Sequence, residues 1–426
     1  MQTVASTDHP FWASSWLPFL ASITLAPGVP IAAYWVGRTW VGRRFFFDDP
    51  AMLACLAIWA AIVIAHLAMR QLNSFPGVAN GSYVAMSVIG GFAVSAFALL
   101  ATRATYSLFI FWSAFVIVLV VYTIGFFVMR RYRAPRLALL PNSGLEEALA
   151  DTQVRVTLLE RPADYLSTMG PPVLDLRRDY DETWLTFITE CSLQGIPVYH
   201  SKQVFEQIFG RVRVEHLSEN SFGSLLPNLL YVKVKVWIDF LLALLALPVV
   251  LVILALLVPV MLWKQGWPIF FLQNRAGYRG RTFRVCKLRT MVKTAGRNET
   301  AESAMTTDDD KRITPLGRIL RRHRLDELPQ IFNILAGQMS WIGPRPEAQV
   351  LVEQFETALP FYRYRHIVRP GITGWAQVNQ GHVTEAGEVL DKLHYDFFYI
   401  KHLSPWLDFL IVLRTLRVLA YGTGAR

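Results

Sequence analysis

Charge is what this chain has least of. Only 17% of its 426 residues are Asp, Glu, Lys or Arg, against about 25% in a typical soluble domain. The deficit is concentrated at one end: residues 1–129 hold no Lys and no Glu, and only five Arg and three Asp. A soluble globule of that size needs a wetter surface, so an ordinary cytosolic protein is excluded for the first third. A hydrophobic content of 53% excludes a disordered chain throughout. Cysteine is scarce as well. Cys55, Cys191 and Cys286 form no CxxC pair and leave an odd count, so neither a disulfide framework nor a zinc site is expected. Groove-reading motifs are missing too. The excess of 42 basic over 32 acidic residues, a net charge of +10, therefore points to anionic head groups or phosphorylated substrates sooner than to nucleic acid. At roughly 150 residues per domain, the length calls for about three domains.

Four apolar segments fill the charge-poor third: 11–37, loose and broken by Pro18, Pro27 and Pro30, then 51–69, 83–101 and 105–129. Each is near the roughly 20 residues that cross a hydrocarbon core. The third and fourth are separated by Thr102–Ala104 alone, which predicts a tight antiparallel hairpin. No basic n-region or small-residue cleavage site precedes them, so no signal peptide is expected. Arg130, Arg131, Arg133 and Arg136 follow the fourth segment and place what comes next in the cytoplasm. Four spans then leave Arg38, Arg43, Arg44 and Arg103 outside, and this balance alone does not fix the topology.

From about Pro135 to Ser224 the composition is that of a small α/β unit. Strand-like runs occur at 154–159, 172–176 and 196–200, and helical patterns at 182–193 and 203–209. The alternation is partly Rossmann-like, but without GxGxxG no dinucleotide is assigned and a structural or regulatory spacer is expected. Beyond it, 240–263 is a run of 24 residues without a charge, containing Pro248 and Pro259. Length permits a fifth span and the prolines permit a kinked segment that enters and leaves on one face; the residues leave both open.

The last 160 residues carry the chemistry, in four clusters. The first is Gln273-Asn274-Arg275-Ala276-Gly277 with Val285-Cys286-Lys287-Leu288-Arg289-Thr290-Met291. The second runs from Thr314-Pro315 to Arg324-Leu325-Asp326-Glu327-Leu328-Pro329-Gln330. The third is Gly343-Pro344-Arg345-Pro346-Glu347, and the fourth is Val368-Arg369-Pro370-Gly371-Ile372-Thr373-Gly374-Trp375. Thr314 and Pro315 are a good N-cap and first turn. A second helix is predicted over 327–336, with Asp326 as its N-cap, Gly337 beyond its end, and the acid held ionised by neighbouring arginines. An ionised carboxylate there can attack phosphorus or bind a divalent cation. Arg345 sits on a stiff turn between two prolines, a placement suited to gripping phosphate. Trp375 offers an aromatic face for a base or sugar, and Lys287 and Arg289 alternate with apolar neighbours so that both project to one side.

Together and in this order the clusters resemble the bacterial polyprenyl-phosphate hexose-1-phosphate transferases, the initiating sugar transferases of exopolysaccharide and O-antigen synthesis. The resemblance is closest over 228–426. It extends to the four-helix and middle domains of the long members, through the runs 195–200 and 219–224. It implies a four-helix membrane domain (1–133), a cytoplasmic Rossmann-like domain (134–225), and a mainly α-helical monotopic domain with a re-entrant helix (226–426). Asp326 would attack the β-phosphate of a UDP-hexose, UMP would leave, and polyprenyl phosphate would take the phosphosugar from the aspartyl intermediate. Mg²⁺ would be the cofactor at Asp326 and Glu327; whether Glu327 binds metal or positions Asp326 stays open. Arg345 matches the phosphate-binding position, and Lys287, Arg289, Arg369 and Asp396 match substrate-binding or supporting positions. The Ser-Pro pair usual in the re-entrant helix is absent, Leu247-Pro248 being the nearest substitute. Among hexoses, glucose or galactose is the donor the resemblance favours.

The resemblance further implies membrane lipids and a homodimeric copy as partners, at the bacterial inner membrane with the catalytic domain facing the cytoplasm. Two rivals remain. A glycosyltransferase would use Asp308-Asp309-Asp310 as a DxD motif and release UDP in place of UMP. A membrane scaffold or regulator of polysaccharide export would tolerate loss of Asp326 and Arg345. A transporter is disfavoured because no ionisable residue sits at the middle of segments two to four.

Overall fold

The computed structural model describes residues 16–40, 49–72, 82–132, 136–150, 152, 154–213, 226–292, 310, 312–359, 361–380 and 386–421. The chain divides into two compact units, Met1–Gly210 and Arg211–Arg426.

The first unit opens with helices α1 (Trp16–Trp40), α2 (Asp49–Leu72), α3 (Ser82–Ala101) and α4 (Leu108–Tyr132). Each contains an apolar stretch of 18 to 21 residues. At about 1.5 Å per residue that is about 30 Å of helix, enough to cross a bilayer core. The loose first segment is one helix despite Pro27 and Pro30. Small residues let these helices approach closely: a Cβ on Gly91 of α3 would lie 2.4 Å from the Ala61 carbonyl oxygen of α2. The turn after α3 places Arg103 at φ 51. The predicted hairpin partners adjoin across it, but α3 packs chiefly on α2, and α4 chiefly on α1. Large apolar side chains such as Phe97, Leu100, Ile124 and Phe127 point outward, as lipid contact requires.

The α/β part of this unit is a parallel sheet of β1 (Arg136–Leu139), β2 (Arg155–Leu158), β3 (Pro172–Leu174) and β4 (Tyr199–His200), in the order β2-β1-β3-β4. A short helix α5 (Glu146–Leu149) follows β1, and α6 (Glu182–Leu193) and α7 (Ser201–Phe209) follow β3 and β4. Alternation along β1 sends Leu137 and Leu139 to one face, with Val204 and Phe205 of α7. Ala138 and the following Leu140 go to the other, with Trp184 and Phe187 of α6. Sheets of this kind bind ligands where the strand order reverses, here between β1 and β3. The Tyr180 hydroxyl spans that gap, accepting from the Asp175 N–H (3.1 Å) and donating to the Pro141 carbonyl (3.4 Å).

The second unit begins with one long helix, Leu229–Gln265, which runs unbroken through Pro248 and Pro259. Its buried residues, Lys235, Asp239, Ala243, Val250, Leu254 and Met261, form a single stripe. Leu241, Leu245, Val249, Val252 and Leu256 are exposed on the other side. Both ends are fastened to the same unit. Near the start, Ser340 Oγ donates to Asp239 Oδ2 (2.6 Å). At the end, Gln265 Nε2 donates to Thr314 Oγ1 (2.9 Å), and Arg289 Nη2 donates to the carbonyls of Gln265 and Gly266 (2.8 Å for the latter). Arg289 is therefore a cap on this helix. It is bound at this helix end, whereas Lys287 pairs with Glu327 (3.1 Å), so the two cations do not serve one partner.

Two small sheets complete the unit: the antiparallel hairpin β5 (Phe270–Ala276) with β6 (Thr282–Leu288), and the parallel pair β7 (Ser340–Ile342) with β8 (Gly371–Thr373). The loops after β7 and before β8 touch backbone to backbone. A Cβ on Gly371 would sit 2.1 Å from the Gly343 nitrogen, and one on Gly343 would sit 2.3 Å from the Arg369 carbonyl oxygen. Gly371→Ala should therefore lower stability by about 1–3 kcal/mol, the usual effect of overpacking. The check is thermal unfolding of the detergent-solubilised protein, and an unchanged midpoint would contradict the close packing.

Candidate active site

The turn bearing the acidic doublet differs from the one expected. A 3₁₀ helix covers Leu325–Gln330 and an α-helix follows at Ile331–Leu335, with Arg324 before them in the left-handed region at φ 56. Asp326 thus lies inside the first turn and caps nothing. Leu325 and Leu328 point into the core against the long helix, which turns Asp326 and Glu327 toward β6 and the Arg345 loop. Asn333 fixes β6 against this turn: its Oδ1 accepts from the Cys286 N–H (3.1 Å) and its Nδ2 donates to the Arg284 carbonyl (2.8 Å). Lys287 on β6 is thereby set opposite Glu327.

The two acids have different surroundings although both are buried. Glu327 Oε1 accepts from Lys287 Nζ (3.1 Å) and from Arg345 Nη2 (3.0 Å), and Oε2 lies 3.7 Å from Arg324 Nη1. Burial alone would raise its pKa, but Lys287, then Arg345 and Arg324, outweigh it and hold the carboxyl well below the usual range. The Asp326 side chain makes no hydrogen bond and no direct ion pair among the described residues. Burial and the neighbouring Glu327 charge push its carboxyl up, with Lys287, Arg321 and Arg345 pulling the other way. The expectation of an acid held ionised by arginines fits Glu327 and fails for Asp326.

Counting Lys287, Arg321, Arg324 and Arg345 against these two carboxylates leaves the site net positive, as a site for a doubly phosphorylated substrate needs. Arg321 is anchored by Nε donating to Thr290 Oγ1 (2.9 Å).

The Arg345 loop is held from behind. Arg275 donates through Nε and Nη2 to Gln273 Oε1 (3.0 and 2.7 Å) and through Nη1 to the Pro346 carbonyl. Arg365 donates to the Arg345 carbonyl (2.9 Å) and forms a buried ion pair with Asp396 (2.9 Å). Glu347, paired with Lys392 and near Arg365 (3.9 Å), completes this second charged cluster. Burial would raise Glu347, but Lys392, Arg365 and Arg275 hold it well below the usual range.

Of the residues singled out from sequence, Asp326, Glu327, Lys287 and Arg345 come together. Asp396 supports Arg345 through Arg365. Arg289 caps the long helix, and Arg369 donates to the Gly337 carbonyl (2.9 Å) with its guanidinium over the Tyr278 ring, so neither reaches Glu327. Trp375 is not an open aromatic face: it is buried, stacked on Phe398 with Arg414 over its ring (4.4 Å). Arg365, Glu347 and Arg275 were not singled out, though Glu347 and Arg275 lie in the quoted clusters. Asp308 and Asp309 lie outside the described residues, and Asp310 is taken by Arg312 (2.8 Å from its Nε).

Among the described residues no three His, Cys, Asp or Glu side chains gather as a metal cage. Mg²⁺ does not require one, since it commonly uses one or two carboxylates with substrate phosphates and water. The unpartnered Asp326 carboxylate and Glu327 Oε2, with only the distant Arg324, fit that donor set.

Residues 230–422 match the bacterial sugar transferase family. The chain is 38% identical over 410 residues, 96% of its own length and 95% of the relative's, to the UDP-N-acetylgalactosamine-undecaprenyl-phosphate N-acetylgalactosaminephosphotransferase of Aeromonas hydrophila. It is 45% identical over 174 residues to the UDP-glucose:undecaprenyl-phosphate glucose-1-phosphate transferase of Xanthomonas campestris pv. campestris, covering 40% of this chain and 35% of that one. A protein of the same description from Escherichia coli (strain K12) is 40% identical over 151 residues, 35% of this chain and 32% of that one. The chain belongs to the bacterial sugar transferases. Within them it is of the polyprenyl-phosphate hexose-1-phosphate transferase type.

Burial draws the Lys287 ammonium down to about 8, against the opposing pull of Glu327. As pH rises through that value the site loses a positive charge and Glu327 loses a partner. The kcat/KM profile, which reports the free enzyme, should fall on that alkaline side, and Lys287→Arg should move the limb to higher pH. An unmoved limb in the arginine variant would assign it to another group.

Proposed function

We propose that this chain transfers hexose 1-phosphate from a UDP-hexose to undecaprenyl phosphate, releases UMP, and forms a covalent intermediate on Asp326. The reaction would open bacterial exopolysaccharide or O-antigen assembly. The observation that carries the reading is the division of the acidic doublet: Glu327 is gripped through one oxygen by Lys287 and Arg345, while Asp326 is left without a direct partner.

In the first step an Asp326 carboxylate oxygen attacks the phosphorus that bears the sugar. The bond from that phosphorus to the bridging oxygen breaks, and UMP leaves with the oxygen and its electron pair. A raised carboxyl pKa makes Asp326, once ionised, a stronger nucleophile than an ordinary carboxylate. In the second step a phosphate oxygen of the polyprenyl phosphate attacks the same phosphorus and returns the Asp326 carboxylate, giving polyprenyl-diphosphate-hexose. Arg345, stiffened by Pro344 and Pro346, and Lys287 hold Glu327 and offer positive charge to the transferring phosphoryl oxygens. Bound Mg²⁺, held by Asp326 and Glu327, would neutralise diphosphate charge and stabilise the departing UMP.

The membrane arrangement follows from the long helix. Its two ends are fastened to one polar unit, so a simple crossing would set that unit on both sides of the bilayer. We therefore read it as re-entrant, its exposed apolar side in one leaflet, with the site at the cytoplasmic face of the inner membrane, a side that the basic stretch 130–136 supports. Soluble donor and lipid-borne acceptor then meet at the interface.

The relatives are named for two donors, UDP-N-acetylgalactosamine for the one matched along nearly its whole length and UDP-glucose for those matched over the catalytic part. Purified protein should be given these two and UDP-galactose, with Mg²⁺ and a polyprenyl phosphate. UMP release from one or two donors is expected, reduced about 10³-fold or more in Asp326→Asn, as for loss of a nucleophile. UDP release would support a glycosyltransferase, and absence of any release a scaffold.

A further inference from the structure

The long helix carries a buried polar patch that the reaction steps above do not use. Lys235 Nζ is 2.7 Å from Asp408 Oδ2 and 3.5 Å from Asp239 Oδ1. Asp408, on the helix Pro405–Tyr421, also accepts from the Tyr231 hydroxyl at Oδ2 (2.7 Å). The Tyr399 hydroxyl lies within hydrogen-bond distance of both Asp408 Oδ1 (2.9 Å) and the Ile342 carbonyl (3.0 Å). Asp239 Oδ2 accepts from Ser340 Oγ (2.6 Å), and the Asp239 carbonyl accepts from Trp341 Nε1 (3.2 Å). Every residue of β7 is thus tied to this patch, and Gly343-Pro344-Arg345 follows β7 directly.

Buried ion pairs contribute little stability over well-packed apolar replacements. This patch moreover sets two carboxylates against one ammonium in a helix whose next 24 residues carry no charge. What it supplies is a directional link between the membrane helix and the strand that leads to Arg345. We propose that Asp239 and Asp408 are positioning residues. They fix the tilt of the long helix against β7, and so set the height of the Arg345–Asp326 site over the membrane surface from which the lipid-borne phosphate arrives. This inference rests on the phosphosugar-transfer reading and assigns a separate determinant for its second step.

The test removes single hydroxyls from the patch, with Ser340→Ala and Tyr399→Phe, in the full chain reconstituted in lipid. UMP release from donor alone, which needs only the first step, should stay within about twofold of the unaltered chain, while KM for polyprenyl phosphate should rise about tenfold, the effect of one buried hydrogen bond. Asp239→Asn combined with Ser340→Ala should be no worse than the worse single change, since both break one contact. A parallel fall in both steps would mark the patch as merely structural and overturn the proposal, as would an unchanged acceptor KM. If the unaltered chain releases no UMP from any donor, the transfer reading itself fails, and this proposal with it.

Discussion

The account depends on one buried interaction, the grip of Lys287 and Arg345 on the Glu327 carboxylate. Two cations share one oxygen of an almost fully enclosed acid. Removing one partner of such a pair typically costs about 3–5 kcal/mol, because the remaining charge stays buried. The grip joins three chain segments far apart in sequence: β6, the 3₁₀ turn and the loop after β7. It also leaves Asp326, the residue before Glu327, with no direct partner and a carboxyl made more basic by burial and then by the charge beside it. Two adjacent acids are thereby placed in unlike surroundings.

The rest of the second unit serves that arrangement. Asn333 aligns β6 with the turn, Arg275 and Arg365 hold the carbonyls of the loop bearing Arg345, and Asp396 holds Arg365. Gly343 and Gly371 let the two loops meet without side chains between them. The long helix adds the membrane to this framework, with its buried stripe against the unit and its other side left apolar. In the first unit the bundle is sized for a bilayer, and the sheet's usual ligand gap is bridged by its own Tyr180.

Much of this was legible from residues alone because it is written in local terms. Runs of about 20 apolar residues announced α1 to α4, and the Thr314-Pro315 start is a cap with Thr314 accepting from the Gly317 N–H (2.9 Å). Strand β1 went unseen because four residues, Arg136–Leu139, carry too little pattern, and its arginine was read with the basic tail. The turn at Asp326 was mistaken for an N-cap because residue type at a helix start does not reveal φ; Arg324 in the left-handed region moves the doublet inward by one step. Arg289, Arg369 and Trp375 were read as facing substrate because their motifs are polar or aromatic and tightly constrained. The constraint in each case is internal: a helix end, the Gly337 carbonyl and a stacked core. Side-chain direction beyond a strand end depends on long-range packing, which no short motif encodes.

The central claim is that Asp326, and not its neighbour, takes the phosphosugar. Donor and Mg²⁺ should be mixed with the protein in the absence of lipid acceptor, quenched within one turnover, and the protein digested for mass spectrometry. The account predicts a burst of UMP and a hexose-phosphate adduct on the peptide containing Asp326, localised to that residue and absent from Asp326→Asn. An adduct on Glu327, or UMP formed only when acceptor is present and with no adduct at any time, would contradict it.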